Sequence, residues 1–252
     1  MSGNIKKIFI INLDRRKDRL EEAMNNINET CLKNFNYTRV SAFDGKNVEE
    51  EKNRFNKLKK YINRLDDQIK NFNLKPLSGE YGCMISHLSV LNEIATDDSY
   101  NNDDYFCIFE DDFFYTATSD SFNTSFNQIN QLDLVDLKVD FLYVGGRFTP
   151  NFYSTNTELF EKTDNINIFK RKSINTLEEN DRCLTAYVIN KKSCQKLINF
   201  ITEKIYYSKR GIKLFGAVDF LVAKFNEVNN THDYFPHLFY SPRNYKTDIQ
   251  RL

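Results

Sequence analysis

The chain has 252 residues, 40% hydrophobic and 14% aromatic, which is enough apolar material for one sizeable core or two small ones. Lys plus Arg and Asp plus Glu each total 35, so no net field draws the protein onto nucleic acid or an anionic membrane. No apolar run approaches the roughly 20 residues that a membrane span needs. The opening residues, Met1-Ser2-Gly3-Asn4-Ile5-Lys6-Lys7, do not have the form of a signal peptide. Five cysteines without a CxxC pair, mostly within apolar segments (Cys83, Cys107, Cys183), read as reduced core residues rather than a disulfide frame or a zinc site.

In chain order, Ile5 to Leu13 reads as a buried strand. Asp14 can cap a following helix whose apolar stripe is Leu20, Ala23, Met24 and Ile27, and residues 36 to 42 form a second strand ending at the turn Phe43-Asp44-Gly45. Strand, helix, strand of this length is a βαβ unit, whose ligands sit beyond the carboxyl ends of the strands. That end carries Asn12, Asp14, Arg15, Arg16, Arg19 and Asp44, a basic cluster suited to an anionic ligand such as a nucleotide diphosphate. Ordinary surface arginines at a solvated helix start are the plainer alternative.

From Val48 to Phe72 the chain is highly charged, and Phe55, Leu58, Ile62, Leu65, Ile69 and Phe72 recur every three or four residues. This predicts one helix with a narrow apolar seam, which suits a helix laid on its own domain better than a homodimer contact. Pro76 to Gly82 reads as a loop opening a helix from Cys83 to Ala95, with Ser86 and His87 beside its buried stripe. A single His in that position is ordinarily a hydrogen-bonded structural residue. Further on come a helix carrying Phe122, Phe126 and Ile129, a strand from Val139 to Val144 closing on Gly145-Gly146-Arg147, and a polar stretch, 148–180, read as a substrate loop. Cys183 to Asn190 is strand-like, and Asn190 caps the helix of Cys194, Leu197, Ile198 and Ile201. Ala217 to Val222 starts a short helix with one acid, Asp219, in an otherwise apolar run. No repeat or long linker divides the chain, so a single α/β domain over 1–252 is expected.

The stretch Tyr105-Phe106-Cys107-Ile108-Phe109-Glu110-Asp111-Asp112 organises the rest. Five apolar residues, right for a strand buried on both faces, run straight into three carboxylates. Alternation along a strand puts Glu110 and Asp112 on one side and Asp111 on the other. Two carboxylates roughly 6–7 Å apart along the backbone can share one divalent cation. An acidic turn capping a strand is the plainer alternative.

The segments IFIINLDRRKDR (8–19), LSGEYGCMISHL (77–88), CIFEDD (107–112) and AVDFL (217–221) together resemble glycosyltransferase family 25. RVSAFDG (39–45), FLYVGGR (141–147) and LTAYVINKKSCQKLI (184–198) extend the resemblance over nearly the whole chain. It implies a GT-A fold, Rossmann-like with a single mixed sheet flanked by helices, a UDP-sugar donor, and Mn2+ with Mg2+ as its substitute. It further implies Asp112 as a direct metal ligand, Glu110 at the ribose or a metal-bound water, and Asp111 at the sugar. Asn12, Leu13, Arg16, Arg19 and Asp44 would line the uridine and phosphate end. Asp219 would be the base of an inverting transfer. The C-terminal metal contact falls on His237 or on Asn244, with Arg243 and Lys246 at the diphosphate. The implied reaction moves a hexose, galactose first and glucose second, to a hydroxylysine of a collagen-like chain or to a surface glycan. Without a secretory signal or a retention tail, the expected place is the cytoplasm of a microbe or of a virus-infected host cell. The alternative is a non-catalytic binding or scaffold protein on the same fold.

Overall fold

The structure is a computed structural model that describes residues 4–74, 77–146, 157–162, 167–171, 184–203, 206–207, 213–214, 218, 221–222, 225, 229–235 and 237–241. β1 (Ile5–Asn12), α1 (Lys17–Asn28) and β2 (Tyr37–Ser41) open the chain. α2 (Val48–Arg54), α3 (Lys59–Asn71) and α4 (Ser78–Thr96) lead to β3 (Tyr105–Glu110) and β4 (Phe114–Tyr115). α5 (Ser119–Gln131), β5 (Phe141–Gly145), β6 (Thr157–Lys162) and β7 (Asn167–Arg171) come next. β8 (Ala186–Asn190) runs into α6 (Lys191–Glu203), followed by β9 (Tyr206–Tyr207), β10 (Lys213–Leu214), β11 (Thr231–Phe235) and β12 (Phe239–Tyr240).

Among the described residues ten strands join one mixed sheet in the order β2-β1-β3-β8-β5-β11-β7-β6, with β12 bridging β5 and β4, while β9 and β10 pair separately. β1 is parallel to both β2 and β3, so the first βαβ unit forms as the sequence predicts. β8 then runs antiparallel to both β3 and β5. The stretch expected as an irregular substrate loop contains the antiparallel pair β6 and β7, and the rest of it lies outside the described residues.

Helices cover both faces of the sheet, which is why Ile8 to Ile11 of β1 and Tyr105 to Phe109 of β3 are continuous apolar runs instead of alternating. Phe9, Ile11, Phe106 and Ile108 pack on one face with residues of α3, α4 and α6. Ile8, Ile10, Cys107 and Phe109 pack on the other with residues of α1 and α5. Asn190 caps α6 as expected, its Oδ1 accepting from Ser193 N at 2.8 Å. The described residues 218, 221, 222 and 225 are helical, and Val218, Leu221, Val222 and Phe225 are buried.

Three expectations need correction. Asp14 does not cap α1, whose N-cap position is Arg16; its carboxylate accepts from Ser41 Oγ at 2.8 Å instead. The charged segment is two helices, α2 and α3, broken by a 3-10 turn at Asn56–Leu58. The break lets Phe55 pack its ring 5.3 Å from that of Phe43 while Arg54 reaches back to Ala42 O at 2.6 Å. Its apolar seam folds onto the chain's own core through Phe55, Leu58, Ile62 and Leu65, and fades at Phe72, which is 38% exposed. Helix α4 begins at Ser78, five residues before the expected start, and carries Gly79 and Gly82 inside it.

Gly82, which suggested a loop, is explained by a close approach. A Cβ on Gly82 would lie 2.7 Å from Phe43 O and 2.9 Å from Gly45 N, and one on Gly45 would lie 1.7 Å from Ser78 O. The β2 exit therefore rests directly on the first turns of α4. Ser86 fastens the same contact, accepting from Phe43 N at 2.8 Å and donating to Gly82 O at 2.7 Å. Gly82→Ala is expected to lower stability by about 1–3 kcal/mol, the usual cost of forcing an extra methyl into a packed contact. Chemical denaturation measures it, and an unchanged midpoint would contradict the interlock.

Candidate functional site

β3 ends at Glu110, so Asp111 and Asp112 lie in the turn that follows rather than on the strand. The alternation that places Phe106 and Ile108 toward α4 carries Glu110 to the same face. There Glu110 Oε1 meets His87 Nε2 at 3.2 Å and Cys83 Sγ at 3.5 Å. Asp111 turns to the opposite side. It accepts from Arg19 Nη1 at 3.1 Å and from Asn12 Nδ2 at 2.7 Å, and its side chain and that of Arg19 are 9% and 7% exposed. Asn12 is held in turn, donating to Arg16 O at 3.0 Å and accepting from Arg39 Nε at 2.9 Å. Asp112 accepts from Ser241 Oγ at 2.9 Å through Oδ2, while its Oδ1 is buried without a hydrogen-bond partner.

These acids form one wall of a cleft open to solvent. The opposite walls are the β2 exit (Phe43 to Lys46), Leu13 and Arg15 after β1, and Ser78 and Gly79 at the start of α4. Asp44 is fixed there by Arg15 Nε at 2.7 Å and by Lys46 N at 3.0 Å. A helix start leaves backbone N–H groups without intrahelical partners, which favours an anion. In α4 the Glu80 carboxylate accepts one local donor, Leu77 N, at 3.1 Å.

Of the residues expected at the site, Leu13, Arg19, Asp44, Glu110, Asp111 and Asp112 line this cleft. Asn12 lies buried behind Asp111. The Arg16 guanidinium pairs with Asp18 at 2.8 Å. His237 has Nε2 4.0 Å from Asp233 Oδ1, and its backbone carbonyl accepts from Thr116 Oγ1 at 2.6 Å. Among the described residues, the one trio of metal-ligating side chains whose donor atoms lie within 4.8 Å of one another is Cys83, His87 and Glu110, which includes neither His237 nor Asp112. Asp219, Asn244, Arg243 and Lys246 lie outside the described residues. Sequence reasoning left Lys46, Ser78, Gly79 and Cys83 out of the site. The SGEYGC stretch held the signal, since glycines within a helix mark a close backbone approach.

Electrostatics separates the three acids. Burial pushes the Glu110 carboxyl up, but the hydrogen bond and charge of His87 outweigh it and leave its pKa lowered. Burial raises Asp111, offset in part by Arg19 and Asn12. Asp112 is pushed up to about 6 by burial and then by the negative charge of Glu110. A buried carboxylate oxygen lacking a donor, beside a second carboxylate, fits a divalent cation. An acid with a raised folded pKa binds more protons folded than unfolded, so it lowers stability as pH rises from about 4 to about 6. Asp112→Asn removes that cost. The metal-free variant is expected to exceed the parent in stability at about pH 7 by on the order of 1–2 kcal/mol, and to match it near about pH 4. Denaturation midpoints across this range test it, and an equal difference throughout would refute it.

Carboxylates at the end of a parallel strand pair, basic side chains and a helix start around one cleft define a binding site for a small, charged ligand. The chain belongs to glycosyltransferase family 25 (LPS biosynthesis protein), whose family model matches residues 5–221. Membership gives glycosyl transfer as the class of activity. The matched span takes in β1, α4, the three acids and the AVDFL segment, and His237, Arg243 and Lys246 lie beyond it. No curated protein matches the chain.

Proposed function

We propose that this chain is a metal-dependent, inverting hexosyltransferase with a single GT-A domain over 1–252, using a UDP-sugar donor, galactose first and glucose second. The observation that supports it is the Asp112 carboxylate, half-buried near Glu110 with one buried oxygen lacking a donor, at the edge of a cleft that also holds Arg15, Lys46 and the start of α4. Asp112, with Glu110 beside it, would hold Mn2+ or Mg2+. Such an ion, when bound, neutralises the charge that grows on a departing diphosphate. The basic side chains and the α4 backbone N–H groups would take the phosphates, and Leu13 and Asp44 the nucleoside. Asp111, bound to Arg19 and Asn12, keeps the acid turn in place from behind.

In the transfer, the acceptor hydroxyl oxygen forms a bond to the anomeric carbon as the bond to UDP breaks on the opposite face. Asp219 is our choice for the base that receives the hydroxyl proton. The family description, LPS biosynthesis protein, favours a surface glycan as the acceptor over a collagen-like hydroxylysine. A scaffold on a decayed transferase fold would bind UDP without a metal requirement and would not turn over.

A screen of UDP-hexoses for hydrolysis and transfer, with Mn2+ and with Mg2+, tests the reading directly. Asp112→Ala is expected to lower metal-dependent turnover by on the order of 100-fold or more while the fold persists. Asp219→Asn is expected to retain nucleotide binding and lose about 10²–10⁴-fold in transfer. Turnover at the parent rate in Asp112→Ala would refute the site, and loss of UDP binding in Asp219→Asn would refute the base.

A further inference from the structure

Cys83 and His87 stand four residues apart on α4, so they share one helix face and both look toward Glu110 at the end of β3. The sulfur lies 3.5 Å and the imidazole Nε2 3.2 Å from the same carboxylate oxygen, Glu110 Oε1. A tetrahedral zinc ion, with Zn–S of about 2.3 Å and Zn–N and Zn–O of about 2.0–2.2 Å, spaces sulfur from oxygen by about 3.6 Å and nitrogen from oxygen by about 3.4 Å. The side chains are already close to that spacing.

The shell behind the ligands has the matching form. His87 is 1% exposed, its Nδ1 is 2.9 Å from Tyr187 Oη, and its ring stacks on Tyr187 with centroids 5.7 Å apart. A metal-binding imidazole needs its second nitrogen protonated and its ring held by such a partner. Cys83, His87 and Glu110 all line the cleft, so a fourth coordination position would face open space. The described cysteines, Cys83 included, form no disulfides.

We infer that Cys83, His87 and Glu110 form a binding site for a borderline-soft divalent cation of the zinc class, with its fourth position open to the cleft. Binding requires Cys83 as a thiolate and His87 as a neutral imidazole with its proton on Nδ1, so the thiol proton and the Nε2 proton of a charged His87 both leave to solvent. Thiolate and carboxylate then balance the two charges of the ion. Thiolate and imidazole select zinc or cobalt over magnesium and manganese, so this site differs in chemistry from the all-oxygen position at Asp112. A cation here also withdraws Glu110 from the nucleotide end. That consequence rests on the proposed function, whereas the site itself does not.

The test uses the metal alone on the untagged full chain. Co2+ titration is expected to saturate at one ion per chain with a thiolate-to-cobalt absorption band, which Zn2+ then displaces. Cys83→Ser should abolish the band and weaken Zn2+ binding by calorimetry at least about 10-fold, and Tyr187→Phe should keep the band and weaken binding by about 10–100-fold. Cys31→Ser, at a cysteine that does not line the cleft, should leave band and affinity unchanged. Circular dichroism confirms that each variant is folded. A parent chain without the band, a band that survives in folded Cys83→Ser, or one lost in folded Cys31→Ser would each overturn the site.

Discussion

The buried contact of Asp111 with Arg19 and Asn12 decides the arrangement of the cleft. An ionised carboxylate and a guanidinium taken out of water each cost several kcal/mol unless they meet good partners. Here they meet one another and the Asn12 amide, on the far side of the sheet from α4. The three residues come from the β3 exit, α1 and the end of β1, so one polar contact ties the exits of two parallel strands to the helix that follows β1. With Asp111 drawn to that side, Glu110 and Asp112 are left for other partners on either flank of the turn. Each takes a different one: His87 and Cys83 for Glu110, and Ser241 for Asp112.

The same geometry sorts three chemically similar groups into different jobs. Adjacent acids in a chain repel, and a fold tolerates them when their environments push their pKa values apart. Glu110 beside His87 favours the charged form, while the Asp112 carboxyl, with Glu110 as its neighbour, is shifted toward the protonated form. Charge at this corner is thus unevenly spread, and the uneven part faces the space where a glycosyltransferase of family 25 has room for a ligand.

Strands β1 and β3 were legible in the sequence because helices cover both their faces, which demands unbroken apolar runs, and α5 was legible because one stripe suffices for a surface helix. β11 was not. Its His232 and Asp233 are buried, so the segment has neither an apolar run nor an alternation to announce it. The break between α2 and α3 was hidden because the three-and-four spacing of the seam continues through it. In the site, the acids showed themselves by their place after a buried strand, but their separate partners did not, since those come from residues 99, 92 and 129 positions away in sequence. Arg16 and Arg19 were read together as a phosphate patch, yet one meets Asp18 and the other Asp111. The i, i+4 relation of Cys83 and His87 was present in the sequence, but a helix begun at Cys83 leaves the cysteine in its first turn, where the pair does not stand out.

The interlock of Gly45, Gly82 and Ser78 has one more consequence. Main chain rests on main chain there, with no side chain between to act as a spacer. The cleft wall at Gly45 and Ser78 therefore has a spacing set by the radii of peptide atoms, which exchanging side chains does not adjust. Changes in ligand preference must arise at the rim instead, from groups such as Arg15 and Lys46 that overhang a fixed base.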